Sequence, residues 1–167
     1  DGVKSPCDGE VSYRGYNIKD LVTGSKGKRF VFEEGAYLLL FGELPTDTQL
    51  MEFQGRLSDC MELPTNFTRD VIMKAPTADI MGSMTRSILT LGSYDKEKES
   101  LEIPNVLRQS MQLIAVFPML AVYAYHAYCH YEKNESMYIH RPEKDLSIAE
   151  NFLRLLRPER KFTELEA

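Results

Sequence analysis

The feature that most constrains the fold is a long apolar stretch in the second half of the chain. Over residues 104–131, apolar side chains recur at intervals of three and four, which predicts one helix about 40 Å long. Pro118 removes one hydrogen bond from the middle of this helix. Because the apolar pattern resumes after Pro118, we expect one kinked helix rather than two helices. Its apolar residues lie on more than one face, so other elements must cover it.

A second helix is predicted directly before the long one. Thr77 can cap a helix that reaches about Tyr94. One side of this helix is apolar and consists of Ile80, Met84, Ile88 and Leu91. Elsewhere around it lie three small residues, Gly82, Ser83 and Ser87. Small residues allow another helix to approach closely. The connecting residues 95–100 are mostly charged and are interpreted as a solvated loop.

Capping residues and apolar spacing predict further helices on either side. Residues 33–41 are largely apolar and precede Gly42, which predicts a short buried helix. Thr46 and Gln49 form a capping box that opens the next helix, and this helix stops at Pro64. Its apolar face consists of Leu50, Phe53, Leu57 and Met61. A short helical piece is expected around residues 66–74.

The two ends of the chain complete the predicted fold. Near the N-terminus, Val3 and Lys4 are expected to pair with residues 11–14 in a β-hairpin whose turn is formed by residues 6–9. Near the C-terminus, Ser147 and Glu150 form a second capping box, which predicts a helix to about Leu156. The predicted fold class is therefore mainly α, with many helices and a small N-terminal β-hairpin.

Charge and cysteine content limit the functions available to this chain. The net charge is −5 with dispersed basic residues, which argues against binding to nucleic acid or to an anionic membrane surface. No uninterrupted apolar run approaches the roughly 20 residues that cross a bilayer. Three widely spaced cysteines, Cys7, Cys60 and Cys129, fit neither a disulfide framework nor a Cys-x-x-Cys site. We expect a soluble, cytoplasmic protein.

The chain is expected to be a fragment of a longer protein. It begins at Asp1 rather than at a methionine, and it ends with a third capping-box pattern, Thr163 with Glu166, that has no helix behind it.

The arrangement most suggestive of chemistry is a group of three residues near the end of the long helix. His126 and His130 are four residues apart and share a helix face, with Cys129 beside them. The metalloprotease pattern requires Glu after the first histidine, where this chain has Ala127. No second ligand segment is evident, so we predict that the protein binds no metal here. The residues alone assign no catalytic group and no cofactor site.

Four blocks, in order, resemble the N-terminal half of citrate synthases of the bacterial kind. They are residues 13–21 (YRGYNIKDL), 32–46 (FEEGAYLLLFGELPT), 114–118 (IAVFP) and 146–153 (LSIAENFL). The second block is the most specific, because a helix, a glycine stop, a proline and a capping box follow without a gap. The resemblance implies that residues 1–167 form an incomplete N-terminal part of the large helical domain of that family.

The resemblance also implies an activity for the parent protein. Members of the family condense acetyl-CoA with oxaloacetate to give citrate and CoA, a step of the tricarboxylic acid cycle. An aspartate removes a methyl proton from the thioester while histidines polarise the two carbonyls. In the family, the segments that carry this aspartate and these histidines lie C-terminal to the block around Asn151. No catalytic residue is therefore assigned here, and the isolated fragment is expected to be inactive. Four arginines are expected to be structural or to lie on the surface: Arg14, Arg86, Arg108 and Arg154.

The predicted helices near residues 78–94 and 104–131 would form the contact between subunits of a homodimer, as their counterparts do in that family. The sequence gives an independent reason, because both carry apolar or small residues on more than one face. Gly82 and Ser83 are the residues at which a large side chain is expected to block the contact. Two alternatives remain open: a non-catalytic helical interaction module, and a 2-methylcitrate synthase, which accepts a longer acyl group.

Overall fold

The structure is a computed structural model that describes residues 2–24 and 27–167. Within these residues the chain is mainly α-helical and carries one two-stranded antiparallel sheet, which confirms the predicted fold class. It divides into two compact units, Asp1–Gln54 and Gly55–Ala167.

The hairpin of the first unit is shorter than predicted and lies elsewhere. Strand β1 (Ser12–Tyr13) pairs with β2 (Tyr16–Asn17), and Ser12 lies opposite Asn17. The two turn residues, Arg14 and Gly15, have φ values of 50° and 87°. Positive φ at both positions is typical of the tight turn whose twist matches the strands, and glycine adopts it readily. The predicted pairing of Val3 and Lys4 was wrong, since no strand forms in residues 2–11.

Two helices follow in the first unit, α1 (Ile18–Gly24) and α2 (Val31–Phe41). Helix α2 ends as predicted at Gly42, which has φ of 81° and donates its N–H to the Leu38 carbonyl. The prediction that α2 is buried was only partly right. Leu38 is completely buried, but Leu39 and Phe41 are 46% and 45% exposed. Within this chain α2 therefore buries one stripe of its surface.

Helix α3 (Asp47–Cys60) begins in the first unit and ends in the second. Its predicted capping box is confirmed: the Thr46 N–H donates to Gln49 Oε1 at 2.9 Å, and the Gln49 N–H donates to Thr46 Oγ1 at 3.2 Å. The predicted apolar face is buried throughout, at Leu50, Phe53, Leu57 and Met61. The helix stops at Cys60, four residues before the predicted end.

Helix α5 (Ile103–Lys133) is the centre of the second unit. It packs against a π-helix (Thr68–Ile72), helix α4 (Ile80–Gly92) and helix α6 (Ile148–Leu156). Four of its side chains are completely buried: Ala115, Val116, Leu120 and Ala127. The helix continues through Pro118, as predicted. The short helical piece expected around residues 66–74 is this π-helix.

By length and composition alone, α5 is long and apolar enough to cross a membrane, contrary to the expectation from uninterrupted apolar runs. The core helix of a globular protein meets the same two criteria. Because α5 packs against three other elements of its own unit, its length and composition assign it no membrane role.

Helix α4 starts later than predicted, and its cap is Asp79 rather than Thr77. Asp79 Oδ1 accepts a hydrogen bond from the Gly82 N–H at 3.0 Å, and Thr77 Oγ1 accepts one from the Asp79 N–H at 3.2 Å. A Cβ atom at Gly82 would lie 2.4 Å from Asp79 Oδ2. Gly82 therefore makes room for the cap of its own helix, and this local role differs from the predicted role in contact with another helix.

Helix α6 is held by polar side chains at its start. Its predicted capping box is confirmed, with the Ser147 N–H donating to Glu150 Oε1 at 3.0 Å and the Glu150 N–H to Ser147 Oγ at 3.1 Å. Asn151 is completely buried, and its side-chain amide forms hydrogen bonds with both backbone groups of Glu143. Oδ1 accepts from the Glu143 N–H and Nδ2 donates to the Glu143 carbonyl, both at 2.9 Å. The segment before α6 is thereby fixed although it has no regular structure.

Two capping boxes of the same kind allow a matched stability test. We expect Ser147→Ala to lower the free energy of unfolding of the intact protein by about 1 kcal/mol, because it leaves a nearly buried helix start uncapped. Thr46→Ala removes the same bond from the exposed start of α3, so its effect should be smaller. Thermal or urea unfolding measures both, and equal losses would contradict the account.

Candidate functional site

The two histidines of the suspected metal group are both bonded to main-chain carbonyls. His126 is buried, and its Nε2 lies 3.0 Å from the Leu155 carbonyl oxygen. His130 Nδ1 lies 2.7 Å from the Glu135 carbonyl oxygen. A ring nitrogen facing a carbonyl must carry the proton and cannot bind a metal through that atom. In the part of the chain that the structure describes, no three His, Cys, Asp or Glu side chains are grouped as metal ligands.

The third histidine belongs to the same structural cluster. His140 Nε2 donates to the Pro158 carbonyl at 3.0 Å, and the Tyr123 hydroxyl donates to the His140 carbonyl. Burial raises the pKa of Tyr123 to about 12. The Tyr138 ring contacts both His126 and His140, with centroids 5.7 Å apart in each pair. These contacts fix the segment after α5 against the end of α6.

All four arginines noted in the sequence contact groups of this chain. Arg108 forms an ion pair with Asp95 at 2.8 Å. The other three donate to carbonyl oxygens: Arg14 to Leu39 (3.0 Å), Arg86 to Lys74 (2.9 Å) and Arg154 to Arg141 (3.1 Å). These contacts are the structural use expected of them. Because the arginines and histidines are already bonded within the chain, the strongest remaining candidate feature in the second unit is its exposed apolar surface.

The exposed residues of α4 differ from those predicted for its contact. Ser83 and Ser87 are 3% and 1% exposed, so the small residues are already covered within the chain. Met81 and Leu89 are instead 78% and 73% exposed. The periodic pattern had placed neither of them on the contacting side. Spacing shows which residues of α4 share a face, but it does not show which face packs against the same chain. The exposure of Met81 and Leu89 was therefore missed.

Helix α5 carries an exposed apolar stripe along its length. Its members are Ile103, Val106, Leu113, Phe117 and Tyr131, exposed by 82%, 41%, 39%, 43% and 53%. No Asp, Glu, Lys or Arg occurs between Arg108 and Glu132. We call these five residues together with Met81 and Leu89 the α4–α5 apolar face. Exposed apolar surface on two packed helices is typical of a protein–protein contact.

Comparison with known proteins points to one family. The family model described as "Citrate synthase, C-terminal domain" matches residues 3–167. Citrate synthase of Corynebacterium glutamicum is 30% identical over 149 residues, which cover 89% of this chain and 32% of that protein. 2-Methylcitrate synthase of Shewanella oneidensis is 32% identical over 147 residues, which cover 87% of this chain and 36% of that protein.

Solved structures give the same result for the fold. Citrate synthase from Pyrobaculum aerophilum matches with a TM-score of 0.75 and 25% identity, covering 94% of this chain and 38% of that one. Citrate synthase from Thermoplasma acidophilum, in a ternary complex with carboxymethyl coenzyme A and oxaloacetate, matches with a TM-score of 0.76 and 20% identity, covering 93% and 38%. The chain thus spans well under half the length of these proteins.

The histidine geometry leads to a metal-binding prediction. We expect the intact protein to retain no zinc through His126 and His130 after dialysis against a metal-free buffer, because within the described residues no third His, Cys, Asp or Glu side chain is grouped with them to complete the coordination. Elemental analysis before and after His130→Ala measures this. Stoichiometric zinc that is lost in the His130→Ala variant would contradict the prediction.

Proposed function

This chain belongs to the citrate synthase family, and we propose on that basis that the protein carrying it condenses acetyl-CoA with oxaloacetate to give citrate and CoA. The observation that carries the proposal is the match of the family model to residues 3–167, almost the whole chain. In this proposal the protein is a cytoplasmic acyltransferase of the tricarboxylic acid cycle. The compartment rests on three cysteines that are all free thiols.

Residues 1–167 act in this proposal as the N-terminal helical scaffold of the large domain, while the reacting groups lie elsewhere in the protein. The bonds of the three histidines support this division. Each ring is bonded to a carbonyl of its own chain and packed beside another aromatic ring. A histidine that polarises a substrate carbonyl must instead direct an N–H into an open site.

Sequence identity supports a second candidate activity at least equally well. The 2-methylcitrate synthase of Shewanella oneidensis is 32% identical to this chain, and the citrate synthase of Corynebacterium glutamicum is 30% identical. The two activities differ in the length of the acyl group, so the residues that line the acyl pocket decide between them. The third reading, a non-catalytic helical interaction module, predicts no turnover of either acyl-CoA.

An assay of CoA release separates the three readings. We expect the full-length protein to release CoA from acetyl-CoA and oxaloacetate, with kcat/KM for acetyl-CoA above that for propionyl-CoA. A preference for propionyl-CoA would establish the second candidate, and no release from either would favour the interaction module. The 167-residue chain alone should be inactive, because the proposal places the reacting groups outside it. Turnover by the purified chain would contradict that division.

We further propose that the parent enzyme is a homodimer that buries the α4–α5 apolar face. Met81 and Leu89 lie eight residues apart, two turns along one side of α4, and Phe117 lies in the middle of the stripe on α5. In a symmetric dimer the same surface patch is used by both subunits, so each substitution acts twice. The exposed side chains therefore replace Gly82 and Ser83 as probes of the contact.

Three glutamate substitutions test this contact. Met81→Glu should shift the full-length protein toward monomer, because it places two charges in the contact, while Met51→Glu, at an exposed methionine of α3, should leave the mass unchanged. Ser83→Glu should lower the stability of the protomer itself by roughly 2–4 kcal/mol, because Ser83 is already buried. Light scattering at low micromolar concentration and thermal melting measure these effects. An unchanged dimer mass for Met81→Glu would contradict the proposed contact.

A further inference from the structure

The two halves of helix α3 have their side-chain partners in different units. In the first half, the Phe53 ring packs against the rings of Tyr37 and Phe41, with centroids 5.4 and 6.1 Å apart. In the second half, Ser58 Oγ donates to the Lys144 carbonyl at 3.0 Å. Tyr37 and Phe41 belong to the first unit, and Lys144 belongs to the second. The change of partners therefore falls between Phe53 and Ser58.

Further contacts hold the last turn of α3 within the second unit. Asp59 Oδ1 lies 3.3 Å from Lys144 Nζ, and Asn151 Nδ2 lies 3.7 Å from the sulfur of Met61. Leu57 and Met61 are both buried. Because these residues all belong to the second unit, the end of α3 keeps its contacts whether or not the first half of the helix is formed.

Gly55 lies at the point where the partners change. The boundary between the two units falls between Gln54 and Gly55, inside the helix. A Cβ atom at Gly55 would have no heavy atom of the described chain within 4 Å, and Gly55 is not among the residues with positive φ. Neither packing nor backbone conformation therefore requires glycine here. Because glycine is less favourable inside a helix than any residue except proline, Gly55 is the weakest point of α3.

The two units differ strongly in the size of their cores. Among the described residues, three buried apolar side chains lie in the first unit: Leu38, Leu50 and Phe53. The other seventeen lie in the second unit. Burial of apolar side chains is the main favourable contribution to folding, and it must offset the conformational entropy lost by every ordered residue. The first unit is therefore much less stable by itself than the second.

We propose that the first unit opens by itself, by breaking α3 at Gly55 while residues 55–167 stay folded. Regions with few buried apolar contacts open locally more often than the whole protein unfolds. In the open state the first half of α3 loses its helix, and Gly55 becomes the residue before the first remaining helical turn. The inference concerns the stability of the scaffold, so it does not depend on which acyl-CoA the parent protein uses.

Gly55 affects both states of this equilibrium in the same direction. In the closed state it lies inside α3, where alanine would be more stable. In the open state it caps the remaining turn, and glycine is accepted at that position far better than alanine. Gly55 therefore weakens the closed helix and stabilises the open one. In this way a single residue sets how often the first unit opens.

Hydrogen exchange of the full-length protein in low concentrations of urea tests the proposal, with mass spectrometry of overlapping peptides as the readout. We expect the amides of α2 and of Leu50–Gln54 to exchange roughly ten-fold or more faster than those of α5. Urea should accelerate them less, because the local opening exposes less surface than global unfolding. The Met61 amide, which donates to the Ser58 carbonyl at 3.1 Å, should exchange with the second unit.

A matched pair of alanine variants tests the role of Gly55. Gly55→Ala should slow exchange in the first unit about five-fold or more, because alanine favours the closed helix and disfavours the open one. Gly92→Ala makes the same change in α4, where a Cβ atom also has open space. It should leave exchange in the first unit unchanged, because α4 is folded in both the closed and the open state.

Three other outcomes would overturn parts of the proposal. Exchange of α2 and α5 at one rate, with one urea dependence, would mean that the two units unfold together, and the local opening would be refuted. Exchange of Leu50–Gln54 at the same rate as Met61 would mean that α3 does not break at Gly55. An unchanged rate in Gly55→Ala, or an equal slowing in Gly92→Ala, would refute the role of Gly55.

Discussion

The burial of α5 is the constraint on which the second unit depends. A 31-residue helix with apolar side chains on several faces is unstable in water unless other elements cover it. The π-helix, α4 and α6 do so on part of its surface, where small residues such as Ala115 and Ala127 are completely buried. The remaining face keeps Phe117 and Tyr131 in partial contact with solvent. The same property that organises the fold therefore also creates the surface proposed for assembly.

Irregular segments around α5 are fixed by a few polar side chains that form hydrogen bonds with the backbone of these segments. Asn151 bonds both the N–H and the carbonyl of Glu143, and Asn105 bonds two carbonyls of the α4–α5 loop. Both amides are buried, where an unpaired polar group would be costly. This arrangement explains how loops without helix or strand keep one conformation.

The sequence predicted those parts of the fold that depend on local chemistry. The capping boxes at Thr46 and Ser147, the stop at Gly42 and the continuation of α5 through Pro118 all rest on neighbouring residues, and all are confirmed. The hairpin was misplaced because Pro6 and Gly9 indicated a turn at residues 6–9, whereas the turn forms at Arg14 and Gly15, which both adopt positive φ. Long-range partners were not predictable. Spacing along α4 could not show that Ser83 faces its own chain while Met81 faces solvent, and the bond between Ser58 and the Lys144 carbonyl joins residues 86 positions apart.

Family membership and the exposed face support one proposed account, in which this part of the protein provides the scaffold and the subunit contact of the parent protein. Methionine oxidation tests its central claim, that a second copy covers the α4–α5 apolar face. Met81 is 78% exposed in the single chain, whereas Met119 is 4% exposed. In the full-length protein, limited oxidation by peroxide followed by peptide mass analysis should find Met81 protected to nearly the level of Met119, with protection lost on dilution to monomer. Rapid oxidation of Met81 at every concentration would contradict the account.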